Sequence, residues 1–379
     1  MKKLLWAFSF AVLFSCSEKP LETHSESHIP ELVITDSLVI DRLTKPYLID
    51  VKDDNSEFLL HDFKTNEFIR VDSSGQVLFV ANRAMDGKDS YNELFFYTAD
   101  YLGDNQILLL TSSAAYYYDL EFNLLKKIGC DFFLYSQQAG GSKVAEVFSE
   151  KLFAFSYNQS ERDEAFSETG TKMDYPFLSF YEANTLKRIN TTTIPEETIM
   201  RKSPGVYAEL GPVISLHKEE YYILYQYSPE IYVLDSHTLE LKRTINLDPG
   251  EKYKQVAPTD INNYSETRFN ELRGSNFREL AFVDDFLLTA YDIPVPDNKM
   301  ESLIAGELDS DEEFQIYDLY KNKRRVYQIF KDDLKLWEGE WPVTLKYKKG
   351  LLYSVNAKPG EDPESIEKDV QTIYFYELK

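Results

Sequence analysis

The chain is poor in residues that build covalent or metal-bound scaffolds, with 2 Cys, 5 His and 3 Trp among 379 residues. Cys16 stands at an N-terminal processing site that takes up its thiol, which leaves Cys130 without an internal partner. A disulfide framework is therefore excluded, and Cys130 reads as a small core hydrophobe. The histidines (His24, His28, His61, His217 and His237) show no ligand spacing. His24 and His28 stand four apart, but in a polar stretch with no helical pattern to align them. A phosphate loop, a G-x-S-x-G elbow and a dinucleotide fingerprint are all lacking. Positive charge is scarce as well: 41 Lys and Arg face 64 Asp and Glu, a net charge of −23. Such a surface repels phosphate backbones, so nucleic-acid binding is excluded as a function class. No stretch offers the ~20 apolar residues that a membrane-spanning helix needs. No 3.6-residue apolar period is sustained over helical length, although residues 298–308 could form one short helix.

What the chain does have is aromatic β-pattern. Its 27 Tyr and 25 Phe favour pleated, half-buried surfaces. The clearest unit is residues 221–247, YYILYQYSPEIYVLDSHTLELKRTINL, with three alternating runs joined by Ser-Pro-Glu and Asp-Ser-His-Thr turns. Runs that end in an acidic or polar turn recur at 68–72, 116–119, 177–182, 231–235, 326–331 and 372–377. Each is preceded by a second β-run: 57–61, 106–110, 152–157, 221–227, 286–293 and 351–356. The intervals are about 45–65 residues, and one is near twice that, where a propeller blade takes about 40–50. The long interval, between 235 and 331, contains one clear strand pair and is assigned one blade. The pattern therefore predicts an all-β fold: a six-bladed β-propeller of four-stranded antiparallel blades. The final blade lacks a fourth strand, and the unassigned run ELVITDSLVIDRL at 31–43 supplies one, with 37–43 predicted as the closing outer strand.

Residues 1–15 read as a signal peptide: Lys2 and Lys3, then an apolar stretch from Leu4 to Phe14 interrupted by Ser9. Leu13-Phe14-Ser15-Cys16 resembles a lipobox, which makes Cys16 the lipidation site. Residues 16–30 form a polar, aperiodic tether, and 31–379 form the propeller. Ser17 in place of Asp argues against inner-membrane retention. With these features the chain resembles the six-bladed β-propeller lipoproteins of unknown function from Bacteroidetes, of TolB-like or NHL-like type. The resemblance implies an exported protein, lipid-anchored in the cell envelope and in the outer membrane, on its periplasmic or surface face. It carries over no catalytic residue.

Antiparallel A-B-C-D blades place their B–C loops and D–A links on one face. The long insertions at 158–176, 195–211, 248–276 and 294–313 are expected there, and loops on a rigid scaffold are where function usually sits. Within them, residues 267–278 (TRFNELRGSNFR) concentrate Arg268, Arg273 and Arg278 with Phe269, near Tyr264; Arg201 lies on the same rim. Arginine suits carboxylate or phosphate recognition and the rings suit stacking, but the same arginines can simply neutralise neighbouring carboxylates. The run DSDEE at 309–313 lacks the central glycine and spaced ligands of a calcium loop. Trp337 and Trp341 fit packing between blades better than a binding platform. No catalytic residue, metal or cofactor is assigned, and a monomer is expected. The leading reading is a binding module for a protein, peptide or glycan. The alternative is a propeller hydrolase or lyase acting on polysaccharide or ester substrates.

Overall fold

A computed structural model describes residues 31–379 except 43, 94, 136–143, 168–169, 204, 209, 261–265, 306–311 and 356–369. Cys16 and Tyr264 lie outside the described residues. Six antiparallel sheets follow one another around a ring, forming a six-bladed β-propeller. Blade one comprises Tyr47–Val51, Glu57–Asp62, Glu67–Asp72 and Val77–Asn82. Blade two comprises Thr98–Leu102, Gln106–Leu110, Ala114–Asp119 and Leu124–Gly129. In blade three, Ala145–Phe148 and the short Phe132–Leu134 both pair with Lys151–Asn158, followed by Leu178–Glu182 and Arg188–Thr192. Blade four comprises Pro212–His217, Glu220–Tyr225, Glu230–Asp235 and Leu241–Asn246. Blade five comprises Asn276–Val283, Phe286–Asp292, Arg325–Lys331 and Leu334–Gly339, so the long interval does hold one blade. Blade six comprises Lys346–Lys348, Leu351–Val355 and Gln371–Leu378, and Leu32–Ile40 completes it from the N-terminal side.

The closing strand pairs from Leu32 with Leu378 to Ile40 with Gln371. It therefore starts five residues before the expected 37–43 and stops at Ile40. A bulge between Ile34 and Asp36 breaks the two-residue alternation, which hides the first half of the strand from a pattern reading.

The third strands repeat so legibly because each turn that follows is specified twice. Asp72, Asp119 and Asp235 end their strands, and each Oδ1 accepts amides of the following turn: Ser74 and Gln76, Glu121 and Asn123, His237 and Thr238. A residue with positive φ then reverses the chain: Gly75, Phe122, Leu186 and Leu239. Three of these are large and apolar in a conformation that L-residues avoid. Phe122, Leu186 and Leu239 are buried, so packing offsets the backbone cost.

Six apolar clusters fill the six seams between neighbouring blades. The run Tyr116-Tyr117-Tyr118 shows how one strand serves two seams. Tyr116 and Tyr118 pack toward blade one and donate to the carbonyls of Tyr91 and Asp89, whereas Tyr117 packs toward blade three and donates to Ala183 O. Trp337 and Trp341 stack on each other at 4.9 Å beside the seam of blades five and six. Cys130 packs against the seam of blades two and three, and burial, with Asp131 and Glu93 adding, pushes its thiol up to about 12.

The two faces differ. One carries tight turns such as Lys218-Glu219, Asp284-Asp285 and Asp332-Asp333. The other gathers the long insertions, as the meander topology requires. They include helices that the sequence pattern does not signal, Glu266–Arg273 and Glu312–Lys321, beside Asp297–Ala305, which covers 298–305 of the anticipated 298–308; residues 306–308 lie outside the described residues.

Candidate functional site

The long-loop face is one connected layer. Val206 and Thr259 exchange both backbone hydrogen bonds at 2.9 Å, joining the link between blades three and four to the link between blades four and five. Val295 N donates to Leu272 O at 2.9 Å, tying the blade-five insertion to the Glu266–Arg273 helix. Leu272, Val295, Met300, Leu303 and Ile316 form a small apolar core under that corner. The turn at Ser228 and Pro229 belongs to this face, since Ile199 N donates to Ser228 Oγ and Leu247 N to Pro229 O.

The candidate arginines separate within this layer. Arg278 stands at a bulge in the innermost strand of blade five, with Asp292 at 3.1 Å, Glu271 at 3.5 Å and Gln226 Oε1 at 3.1 Å. Its guanidinium is thus held inside a buried polar network, which Arg325 joins through the other oxygen of Asp292 at 2.9 Å. Lys323 completes this network by donating to Glu271 O and Gly274 O, and burial lowers its ammonium to about 8. Arg273 lies 3.9 Å from Glu266, and Arg201 donates to Ile194 O at 2.9 Å with Glu196 at 3.7 Å. Arg268 is exposed on its helix, while Phe269 packs against the small apolar core.

A second charge cluster bridges the innermost strands. Lys348 Nζ lies 3.1 Å from Asp100, 3.1 Å from Glu146 and 3.6 Å from Asp50, so blade six reaches blades two, three and one through a single ammonium. Lys349 adds a 2.8 Å contact to Asp50. Burial raises Asp50 to about 6 against the pull of Lys348, whereas Glu146, Asp100 and Asp50 overcome burial and hold Lys348 well above its usual value. A lysine kept protonated by three carboxylates is a clasp; it has no available lone pair for nucleophilic or base chemistry.

The face also displays aromatic rings that pattern reading did not collect. Phe95 (68% exposed), Tyr47 (54%) and Phe63 (52%) lie over blades one and two, with Tyr97 (39%) beside them and Phe133 (38%) over blade three. Their rings are in contact in places: Tyr47 to Phe63 at 5.3 Å, Phe63 to Phe96 at 6.0 Å and nearly parallel, Phe133 to Tyr157 at 5.8 Å. The rings come from strand ends, tight turns and the link between blades one and two, and only the fold brings them together.

His61 is buried beneath this surface, 4.5 Å from Phe63 and from Phe68 and 4.8 Å from Phe96. Neither ring nitrogen finds a hydrogen-bond partner among the described residues, and burial lowers its pKa to about 4. A folded-state value below the usual 6.5 means that the unfolded chain takes up the proton first. His61 therefore contributes stability above pH 6.5 that is lost as pH falls toward 4, about 3 kcal/mol in all. His61→Phe should remove this loss and fill the same space. Its gain in melting temperature over the parent should widen as pH drops from 7 to 4.5, as read by thermal denaturation. A constant difference would show that His61 does not titrate as described.

Among the described residues, a cleft of similar size opens on each face. One, of about 470 Å³ between blades four and five on the short-turn face, is crossed by Arg243, which is bound by Glu220 at 2.8 Å and Asp333 at 2.7 Å. The other, of about 450 Å³ on the long-loop face, is lined by Phe133, Tyr157, Gln159, Ser160, Arg162 and Asp163. Among the described residues, no group of three His, Cys, Asp or Glu is placed to hold a metal ion.

In fold this chain belongs with the six-bladed propellers. No family model matches its sequence. No curated protein matches it either. Among solved structures it is similar to a member of the DUF4221 family from Bacteroides vulgatus, with a TM-score of 0.63, 12% identity and coverage of 92% of this chain and 98% of that one. It is also similar to a Bacteroides fragilis protein thought to be exported, with a TM-score of 0.53, 10% identity and coverage of 92% and 95%. At these identities the likeness shows the fold.

Proposed function

We propose that this protein is an exported, lipid-anchored propeller of the cell envelope that binds a partner, a protein, peptide or glycan, through its long-loop face. The observation that carries the reading is the set of exposed rings, Tyr47, Phe63, Phe95, Tyr97 and Phe133, on the face where the insertions gather. Large apolar rings gathered on one face and left in water are costly and mark contact sites. Large aromatics are also the side chains that most often anchor an interface. Arg268, exposed on the Glu266–Arg273 helix of the same face, would supply a polar contact away from the rings.

The strand geometry supports the anchoring. Leu32 pairs with Leu378 at the end of a third strand, so the closing strand starts on the short-turn face. A tether leading to Cys16 would leave from that side, with the aromatic face directed away from the lipid. The likeness to a Bacteroides fragilis protein thought to be exported accords with an envelope address.

Serine replacements at Phe63 and Phe95 test the contact surface, because both side chains are more than half exposed. The double variant should keep its melting temperature within about 2 °C, since exposed substitutions cost little. It should lose partner recovery from solubilised envelopes about tenfold or more, the scale of removing interface anchors. Full recovery by the double variant would refute the reading.

A further inference from the structure

We propose that the cleft beside blade three binds a neutral glycan, with a sugar ring stacked on Phe133 and Tyr157 and its hydroxyls held by Gln159, Arg162 and Asp163. The inference rests on the reading of the long-loop face as the contact surface and names a ligand class for one part of it. The cleft's volume, about 450 Å³, is within the range of small-ligand sites.

The site is held in place by the chain around it. Tyr157 is the last residue but one of the second strand of blade three, and its ring is fixed on one side by the edge of Phe166 at 4.9 Å. Phe133 sits on the short strand Phe132–Leu134, paired directly with Tyr157 across the sheet. The polar side is a short helical segment, Gln159–Glu161 followed by Arg162–Ala165. Glu161 fastens it, accepting from Tyr175 Oη at 2.6 Å, from Asn158 Nδ2 at 3.2 Å and from Arg188 at 3.4 Å. Ala165 is fully buried, and Lys172 Nζ donates to Asp163 O at 2.7 Å. With Glu161 turned inward, Gln159, Ser160, Arg162 and Asp163 are left exposed around the rings.

That combination fits a sugar in three respects. Half-exposed rings offer flat apolar faces that match the C–H face of a pyranose. Carboxylate, guanidinium and amide groups are planar and take neighbouring hydroxyls in pairs. The two charged groups are of opposite sign and adjacent in sequence, and the chain as a whole carries −23, which disfavours acidic polysaccharides and phosphorylated ligands.

The test is isothermal titration calorimetry of the soluble chain with four neutral probes, cellohexaose, xylohexaose, mannohexaose and maltohexaose, and one acidic probe, hexagalacturonic acid. At least one neutral hexasaccharide should bind with a dissociation constant of about 1 mM or lower, and the acidic one should not. Phe133→Ala and Tyr157→Ala should each weaken that binding about tenfold, the effect of removing a stacking anchor, with circular dichroism confirming the fold. Asp163→Asn should weaken it less, and Lys218→Ala, on the opposite face, should leave it unchanged. Failure of all four neutral probes at 10 mM, or binding that survives both aromatic variants, would overturn the inference. If the probes fail while the Phe63 and Phe95 double variant still loses its partner, the glycan assignment alone is wrong. If both experiments fail, the contact face itself is wrong.

Discussion

A chain that starts at residue 42 is expected to melt about 10 °C or more below the full protein, or not to fold at all, when followed by circular dichroism. The missing segment is the outer strand of blade six. Its loss removes a nine-residue strand, paired from Leu32 with Leu378 to Ile40 with Gln371, and exposes the edge of Gln371–Leu378. It also removes Leu38 and Ile40, both essentially inaccessible to solvent, from the seam between blade six and blade one. Each buried aliphatic side chain is worth about 1.5–3 kcal/mol of burial, before the ladder is counted. Leu38→Asp gives the same test as a point change: it should destabilise strongly, whereas Val39→Asp, on the exposed side of the same strand, should not. Equal melting of the truncated and full chains would defeat the closure.

Lys348→Met is expected to cost about 3–5 kcal/mol in denaturant unfolding, the scale for removing one partner from a buried ion cluster. The ammonium stands among Asp50, Asp100 and Glu146, and without it three carboxylates from blades one, two and three share a space shielded from water. Adding Asp100→Asn and Glu146→Gln should recover most of the loss, because the uncompensated charge then disappears. The loss should also shrink on acidification. Asp50 already stands at about 6, a value raised above its unfolded one, and such a group favours the folded state at low pH and ceases to do so as pH rises through 6. His61 works in the opposite direction over the same range, so the comparison is best made in the His61→Phe background.

Much of this architecture is written in short, local signals. Asp72, Asp119 and Asp235 each end an alternating run and accept the amides of the following turn, so sequence and structure mark the same point. The insertions are legible as length alone, and the meander fixes their face. The helices inside them are not legible: Glu266–Arg273 has only Phe269 and Leu272 to mark an apolar side, and eight residues are too few for a period to show. Arg278 looks available in sequence, yet a bulge between Phe277 and Glu279 places it among Asp292, Glu271 and Gln226. The aromatic surface is the least legible feature. Tyr47, Phe63, Phe95 and Phe133 belong to separate segments in blades one to three, each with one to three rings, in a chain where 15% of residues are aromatic. Only burial distinguishes them from the rings that fill the seams. Tyr116 and Tyr117 are sealed in the core, whereas Phe95 stands in water.

The account therefore turns on which face meets the partner, and site-specific photo-crosslinking in cells producing the full chain measures that directly. A benzoylphenylalanine at Phe95 on the long-loop face, or at Phe63 in the turn beside it, should yield a discrete crosslinked product. The same probe at His237 or Asp285, exposed on the short-turn face, should yield none. Crosslinks from His237 or Asp285, with none from Phe63 or Phe95, would contradict the assignment of the contact face.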